Sequence, residues 1–204
     1  MDNYLQEYLK FANKLADEAS TISMEYFRTS LEIENKSDES PVTIADKNTE
    51  LKLRSMIEKE YPNHGILGEE FDSINPDAEF IWVIDPIDGT KSYLAGHKDF
   101  GNLISLTQNK KPIIGIINCP AHNERWVGAK NQNSTLNQQT SKTSSVTKIE
   151  DAYFFSSGLY FDEPHLRNAV DKIKHKVKYY RYGGDCYMYG TVASGLIDFV
   201  IEDT

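Results

Sequence analysis

Apolar side chains recur at steps of three and four over residues 4–28, which predicts one long amphipathic helix. A similar pattern over residues 43–60 predicts a second helix that ends before Pro62. Thr43 followed by Asp46 fits a capped helix start, although the usual capping box has Glu or Gln at the second position. Between the helices, residues 31–42 predict a short strand followed by a polar loop.

After the second helix the pattern changes to short apolar runs separated by turn residues, which is typical of strands. Five such strands are predicted, over residues 64–70, 79–85, 101–109, 111–120 and 124–130. Residues 131–146 contain almost no apolar side chain, so we predict a loop or linker there and a domain boundary. This places an N-terminal α+β part in residues 1–130.

The remaining residues, 147–204, alternate between strand and helix patterns in the order β-α-β-α-β. The predicted strands have no short hairpin turns between them, which favours a parallel or mixed sheet covered by helices. We therefore predict an incomplete α/β part that follows the linker.

Composition narrows the class of protein. The chain has 204 residues and a formal net charge of −9, which argues against binding to a nucleic-acid backbone. It contains no apolar run long enough to predict a membrane span. The two cysteines, Cys119 and Cys186, are far apart in sequence and suggest a reducing compartment, so we expect a cytoplasmic location.

The stretch W-V-I-D-P-I-D-G-T, residues 82–90, ends a predicted buried strand with two aspartates. Pro86 keeps Asp85 extended, and the turn that follows can return Asp88 to the same pocket. Carboxylate and carbonyl oxygens suit Mg²⁺ or Ca²⁺, while a glycine at a helix start suits a phosphate group. The alternative is an ordinary capped turn, in which Asp88 is simply the N-cap, and this stretch alone does not separate the two readings.

Two further carboxylate positions bear on that choice. Glu69 and Glu70 end a neighbouring predicted strand, and because adjacent strand residues face opposite sides, only one of them can join Asp85. Asp46 can cap its own helix, or it can accept a hydrogen bond from Thr90 and so help to orient a water molecule. Spacing alone favours the cap.

The motifs V-T-x-A-D, G-E-E and W-V-I-D-P-I-D-G-T occur here in this order and together resemble the inositol monophosphatase superfamily. The resemblance runs from the first helix to the final L-I-D-F-V-I-E. It implies a layered α/β/α/β/α sandwich and a Mg²⁺-dependent, lithium-sensitive phosphatase acting on a small-molecule phosphate monoester. Dimers are common in that superfamily, so the resemblance also makes a homodimer an expectation.

The resemblance assigns a metal-binding role to the two strand ends. Glu69, Asp85 and the Ile87 carbonyl would hold a first metal ion, and Asp85 would share a second with Asp88. Two or three Mg²⁺ ions are implied in the complete enzyme, where they would activate water and neutralise developing charge.

Other residues receive catalytic and binding roles from the same resemblance. Thr90 with Asp46 would activate the attacking water, and the amides of Gly89 and Thr90 would hold the phosphate. The segment R-Y-G-G-D-C-Y is similar to the histidinol-phosphate phosphatase subgroup, in which Asp185 would contact the cationic part of the substrate. Inositol monophosphate and 3′-phosphoadenosine phosphate are the alternative substrates.

The chain departs from the family at its end. In the subgroup a segment resembling L-K-P-Y-D follows, and its aspartate would bind the second metal, but the sequence stops at Thr204. We expect a fragment of a longer enzyme with reduced or no activity, and a non-catalytic pseudoenzyme is the alternative. Asp198, Glu202 and Asp203 lie outside the matching motif, so we do not expect them to replace the missing ligand.

Overall fold

A computed structural model describes residues 3–30, 33–35, 41–158 and 163–202, so the predicted loop in 31–42 is only partly covered and Asp203 lies outside the described residues. The helices of this part are α1 (Asn3–Tyr26), α2 (Ile44–Glu60), α3 (Thr90–Leu94), α4 (Pro164–Lys174) and α5 (Asp185–Ala193). Its strands are β1 (Ile33–Asn35), β2 (Pro41–Thr43), β3 (Gly65–Gly68), β4 (Phe80–Asp88), β5 (Gly101–Gln108), β6 (Lys111–Cys119), β7 (Glu124–Ala129), β8 (Thr135–Leu136), β9 (Gln139–Thr140), β10 (Tyr153–Ser156), β11 (Tyr179–Tyr182) and β12 (Phe199–Val200).

Helices α1 and α2 pack together on one face of the largest sheet. The apolar stripe predicted for α1 is buried there with Leu53 and Ile57 of α2 and Trp82 of β4. Helix α2 begins one residue later than predicted, because Thr43 is its N-cap. The capping box is complete with Asp46 in the place of Glu or Gln.

The largest sheet has seven strands in the order β3-β4-β5-β6-β7-β8-β9, with β3 parallel to β4 and the other pairs antiparallel. Its β4–β5 register is interrupted between Asp85, opposite Leu103, and Asp88, opposite Gly101. Strand β4 therefore has one extra residue in this interval, which is a β-bulge beside Pro86. Residues three apart on a regular strand face opposite sides, but the extra residue returns Asp88 to the side of Asp85.

The segment predicted as a loop, 131–146, contains the short hairpin β8–β9, which extends the large sheet. Its turn residues Asn137 and Gln138 have φ angles of 48° and 68°, the left-handed conformation that two-residue hairpin turns require. Leu136 packs against the buried Trp126. The sequence lacks the usual Asn-Gly signal, so the hairpin was missed, and the division of the chain into domains stays a prediction.

The second sheet confirms the predicted β-α-β-α-β order. Its three parallel strands lie in the order β11-β10-β12, so α4 leads from the central strand β10 to the edge strand β11, and α5 leads back past β10 to the other edge strand β12. Because such crossovers are right-handed, the two helices cover opposite faces. Helix α5 also packs on the large sheet, where Gly190 lies so close to Trp126 that a Cβ would come within 2.5 Å of the ring.

The layers are therefore α1 with α2, the seven-stranded sheet, α5, the three-stranded sheet and α4. This confirms the predicted α/β/α/β/α sandwich. Within the described residues, no helix combines the length and the apolar character that crossing a membrane would require.

Candidate active site

Asp85 lies at the end of the parallel pair β3–β4, and the bulge of β4 brings Asp88 to the same side. One carboxylate oxygen of Asp85, Oδ1, is buried and has no hydrogen-bond partner. The Glu69 side chain, which follows β3, shares a hydrogen bond with Asp85. An unsatisfied buried carboxylate oxygen is costly, and a cation bound beside it would compensate that cost.

The electrostatics of Asp85 support this interpretation. Burial, together with the nearby charges of Glu69, Asp88 and Asp46, raises its pKa to about 9. A bound cation would favour the ionised form and so reverse the effect of these carboxylates. Such strongly perturbed acids concentrate at functional sites.

Asp88 lies on the same side and is held from the C-terminal part of the chain. Its Oδ2 accepts a hydrogen bond of 2.7 Å from the backbone N–H of Cys186. Burial raises the pKa of Asp88, whereas its hydrogen bonds with Cys186 lower it. The Ile87 carbonyl, between the two aspartates, accepts a hydrogen bond of 3.1 Å from the Thr90 hydroxyl.

These carboxylates do not form a closed cage. In the part of the chain that the structure describes, no group of three or more His, Cys, Asp or Glu side chains is arranged to enclose a metal ion. Mg²⁺ usually keeps several waters and takes one or two protein carboxylates, so a pair such as Glu69 and Asp85 beside a carbonyl fits its chemistry. The donors are all oxygen, which favours Mg²⁺ over zinc.

The contacts of Asp46 match the helix-cap alternative and not the alternative in which it binds Thr90. Its Oδ2 accepts hydrogen bonds from the Thr43 N–H at 2.8 Å and the Thr43 hydroxyl at 2.6 Å, as the cap interpretation predicted. The hydroxyl of Thr90 donates to Ile87 and not to Asp46, because the tight turn places that carbonyl within its reach. Burial nevertheless raises the pKa of Asp46, and the Glu69 charge adds to this, so Asp46 belongs to the same acidic group.

Gly89 is the N-cap of the short helix α3, and no side chain caps that helix end. Its φ is 79°, a left-handed conformation that favours glycine. A Cβ at this position would lie 2.9 Å from both the Cβ and Cγ of Asp185. Glycine therefore permits both the turn and the close approach of Asp185, next to the amides of Gly89 and Thr90.

The backbone conformation of R-Y-G-G-D-C-Y explains how Asp185 comes close to Gly89. Gly183, Gly184 and Asp185 all have positive φ angles, so the chain turns sharply just before α5. Ser92 of α3 then donates a hydrogen bond of 2.6 Å to Asp185 Oδ2. Burial raises the pKa of Asp185, and the charges of Asp99 and other acids act in the same direction. This carboxylate would be favoured in its ionised form by a cationic ligand.

Asn102, which the sequence did not predict as part of the site, supports the β4 bulge. Asn102 is fully buried, and its Nδ2 donates a hydrogen bond of 2.7 Å to the Pro86 carbonyl. Its Oδ1 accepts a hydrogen bond of 2.8 Å from Asn118. A polar residue inside the apolar run F-G-N-L-I-S-L was the available signal, since buried amides normally have partners.

Comparison with known proteins identifies the family and the fold. The family model described as "Inositol monophosphatase family" matches residues 4–204. The chain belongs to the inositol monophosphatase family. An inositol monophosphatase from Zymomonas mobilis has the same fold, with a TM-score of 0.88 and 38% identity over 100% of this chain and 78% of that chain.

The chain is also similar to two curated relatives. It is 39% identical over 203 residues to the chloroplastic bifunctional phosphatase IMPL2 of Arabidopsis thaliana, covering 98% of this chain. It is 32% identical over 196 residues to the histidinol-phosphatase of Chlorobaculum parvum, covering 95% of this chain. The chain spans 59% of the length of the plant relative and 76% of the bacterial one.

Proposed function

We propose that this chain forms the metal- and phosphate-binding part of a Mg²⁺-dependent phosphatase whose substrate is L-histidinol phosphate. The observation that carries the proposal is the buried Oδ1 of Asp85, which has no hydrogen-bond partner, on a side chain that interacts with Glu69 and lies four residues before Gly89, the N-cap of α3. In this pocket acidic side chains meet the uncapped start of a helix, so a cation and a phosphate group can be held side by side.

Asp85, Glu69 and the Ile87 carbonyl would hold a first metal ion, and Asp85 would share a second with Asp88. Mg²⁺ bound there would lower the pKa of a water molecule and offset the negative charge of the phosphate. Asp46 remains anchored to Thr43 and adds negative charge to one side of the pocket. The amides of Gly89 and Thr90 would orient the phosphate, and phosphoryl transfer needs mainly such positioning and charge stabilisation.

Asp185 supports the choice of substrate. Ser92 holds its carboxylate directly over Gly89, so the part of a substrate that extends beyond the phosphate would meet a negative charge. Histidinol phosphate carries an ammonium group there, whereas inositol monophosphate is uncharged beyond its phosphate. A charge-assisted contact of this kind favours the cationic substrate.

Phosphate release by the full-length protein tests the proposal, with histidinol phosphate, inositol 1-phosphate and 3′-phosphoadenosine 5′-phosphate each supplied in Mg²⁺ and in EDTA. We expect Mg²⁺-dependent release from histidinol phosphate, and its loss in Asp85→Asn. Asp185→Asn should reduce kcat/KM for histidinol phosphate by about tenfold or more and change that for inositol phosphate little. Absence of release from all three substrates would refute the phosphatase, and metal binding without turnover would instead indicate a pseudoenzyme.

A further inference from the structure

A fully buried ion pair lies on α2, facing the turn that carries Glu69. Glu50 has no exposed surface and Arg54 is 6% exposed. Arg54 Nε donates to Glu50 Oε1 at 2.8 Å, four residues along the helix. Burying two charges is expensive, and apolar residues of similar volume often serve stability equally well. The pair therefore calls for an explanation other than stability.

The Glu50 carboxylate binds the backbone of the turn that follows β3. Its Oε2 accepts hydrogen bonds from the N–H groups of Glu69 at 3.0 Å and Glu70 at 2.8 Å, and its Oε1 accepts one from Phe71 at 3.2 Å. Three successive N–H groups thus point at one buried carboxylate. This arrangement fixes the orientation of the turn more firmly than a single contact would.

Arg54 binds the carbonyl groups of the same turn. Its Nη2 donates to the Phe71 carbonyl at 2.7 Å, and its Nη1 donates to the Asp72 carbonyl at 2.9 Å. The two side chains together therefore satisfy both the donors and the acceptors of one short backbone segment. A planar guanidinium can make these contacts at the same time as its contact with Glu50, which an ammonium group cannot do.

Gly68 of the G-E-E motif is explained by the same pair. A Cβ on Gly68 would lie 2.0 Å from Glu50 Oε1 and 2.8 Å from Arg54 Nη2. The glycine leaves room for the ion pair to reach the backbone, and a side chain there would push the turn away. The position of Glu69 thus depends on Glu50, Arg54 and Gly68 together.

We propose that Glu50 and Arg54 are positioning residues that hold the Glu69 backbone so that its carboxylate faces Asp85. The inference rests on the proposed function, in which Glu69 and Asp85 bind the metal. Asp85 is fixed by the β4 ladder, whereas Glu69 follows the end of β3 and depends on this turn. Residues that orient a metal ligand normally affect metal affinity strongly.

The test compares Glu50→Gln with Glu58→Gln, the same chemical change at an exposed position of α2. The metal probe is Mn²⁺, and its binding is measured by the electron paramagnetic resonance of the free ion at a temperature where both variants are folded. We expect the Mn²⁺ Kd of Glu50→Gln to rise about 10- to 100-fold and that of Glu58→Gln to stay unchanged. A merely structural role would lower the Tm but leave the Kd of the folded protein unchanged, and that result would overturn the inference.

Arg54→Lys provides a second variant should Glu50→Gln fail to fold. Lysine keeps the positive charge but cannot donate to Glu50 and both carbonyls, so we expect a smaller rise in Kd in the same direction. Where turnover is measurable, the metal concentration for half-maximal activity should increase while kcat at saturating metal is largely retained.

The binding assay separates the two proposals. Wild-type binding without turnover would contradict the phosphatase but leave the positioning role measurable. Equal Mn²⁺ affinity in the wild type and the Glu50 and Arg54 variants would refute the positioning role alone. An absence of Mn²⁺ binding by the wild type would overturn both.

Discussion

Replacing Asp85 with Asn is expected to make the metal-free protein more stable while abolishing its metal binding. Burial, together with the nearby charges of Glu69, Asp88 and Asp46, raises the pKa of Asp85 to about 9 from an ordinary value of 3.8. At pH 7 the folded protein without metal therefore holds this carboxyl protonated, whereas the unfolded chain ionises it. The cost to folding is absent below pH 4, begins as the unfolded chain ionises, and increases until the pH reaches about 9.

The magnitude follows from this difference in proton binding. About three pH units separate pH 7 from the ordinary pKa, and each costs about 1.4 kcal/mol for one proton, so the upper limit is about 4 kcal/mol. Glu69, whose charge contributes to the shift, is exposed to solvent, which weakens its effect. We expect Asp85→Asn to increase the free energy of unfolding by about 1–3 kcal/mol at pH 7, or to raise the Tm by roughly 3–10 °C.

Urea unfolding in EDTA, followed by circular dichroism between pH 5 and pH 8, measures this effect. The stability difference between Asp85→Asn and the wild type should increase with pH, and millimolar Mg²⁺ should reduce or reverse it by stabilising only the wild type. Asp77→Asn, at an exposed position, serves as the control and should show no such trend. A metal-free Asp85→Asn variant that is less stable than the wild type, or a difference independent of pH, would refute the reasoning.

Two other substitutions, Gly89→Ala and Asn102→Ala, test the turn around the aspartates, and Gly183→Ala is the control for the first. Gly89→Ala should destabilise by about 2–4 kcal/mol, because it combines a strained left-handed φ with a clash against Asp185. Gly183→Ala, at a φ of 87° with nothing within 4 Å of the added Cβ, should cost only about 1 kcal/mol, and equal losses in thermal melts would contradict the clash. Asn102→Ala leaves the Pro86 carbonyl without its buried donor, so we expect a loss of about 2–4 kcal/mol and a weaker Mg²⁺ response, and an unchanged Tm would argue against this support.

The sequence was most informative where one local pattern determined one element. The periodicity of α1, the cap at Thr43 and the alternation of strands and helices after residue 147 were predicted and are confirmed by the structure. These features depend on neighbouring residues and on burial of one face, which hydrophobic spacing records directly. The β8–β9 hairpin was missed because its turn residues, Asn137 and Gln138, adopt left-handed conformations without a glycine.

The sequence pointed to the candidate ligands, whose roles stay a prediction, but not to the residues that support them. D-P-I-D-G-T and G-E-E drew attention to their carboxylates by their position at strand ends. The contacts that hold these motifs come from distant parts of the chain: Asn102 from β5, Glu50 from α2 and the Cys186 amide from α5. No spacing rule connects such residues, because tertiary packing alone brings them together. The β4 bulge belongs to the same class, since it is defined by the register with β5.

The hydrogen-bond partners of the four carboxylates near the bulge, those of Asp46, Glu69, Asp85 and Asp88, differ from one another. Asp46 is bound to Thr43, and Asp88 to the Cys186 amide, while the turn of Glu69 is held through its backbone by Glu50. Among these four side chains, only Asp85 has a buried oxygen without a hydrogen-bond partner in the described part of the chain. A bound cation stabilises a buried carboxylate most when that carboxylate has few other partners. We therefore expect Asp85 to contribute more metal-binding free energy than the other three carboxylates. The same oxygen that destabilises the metal-free protein would thus be the principal reason why it binds a metal.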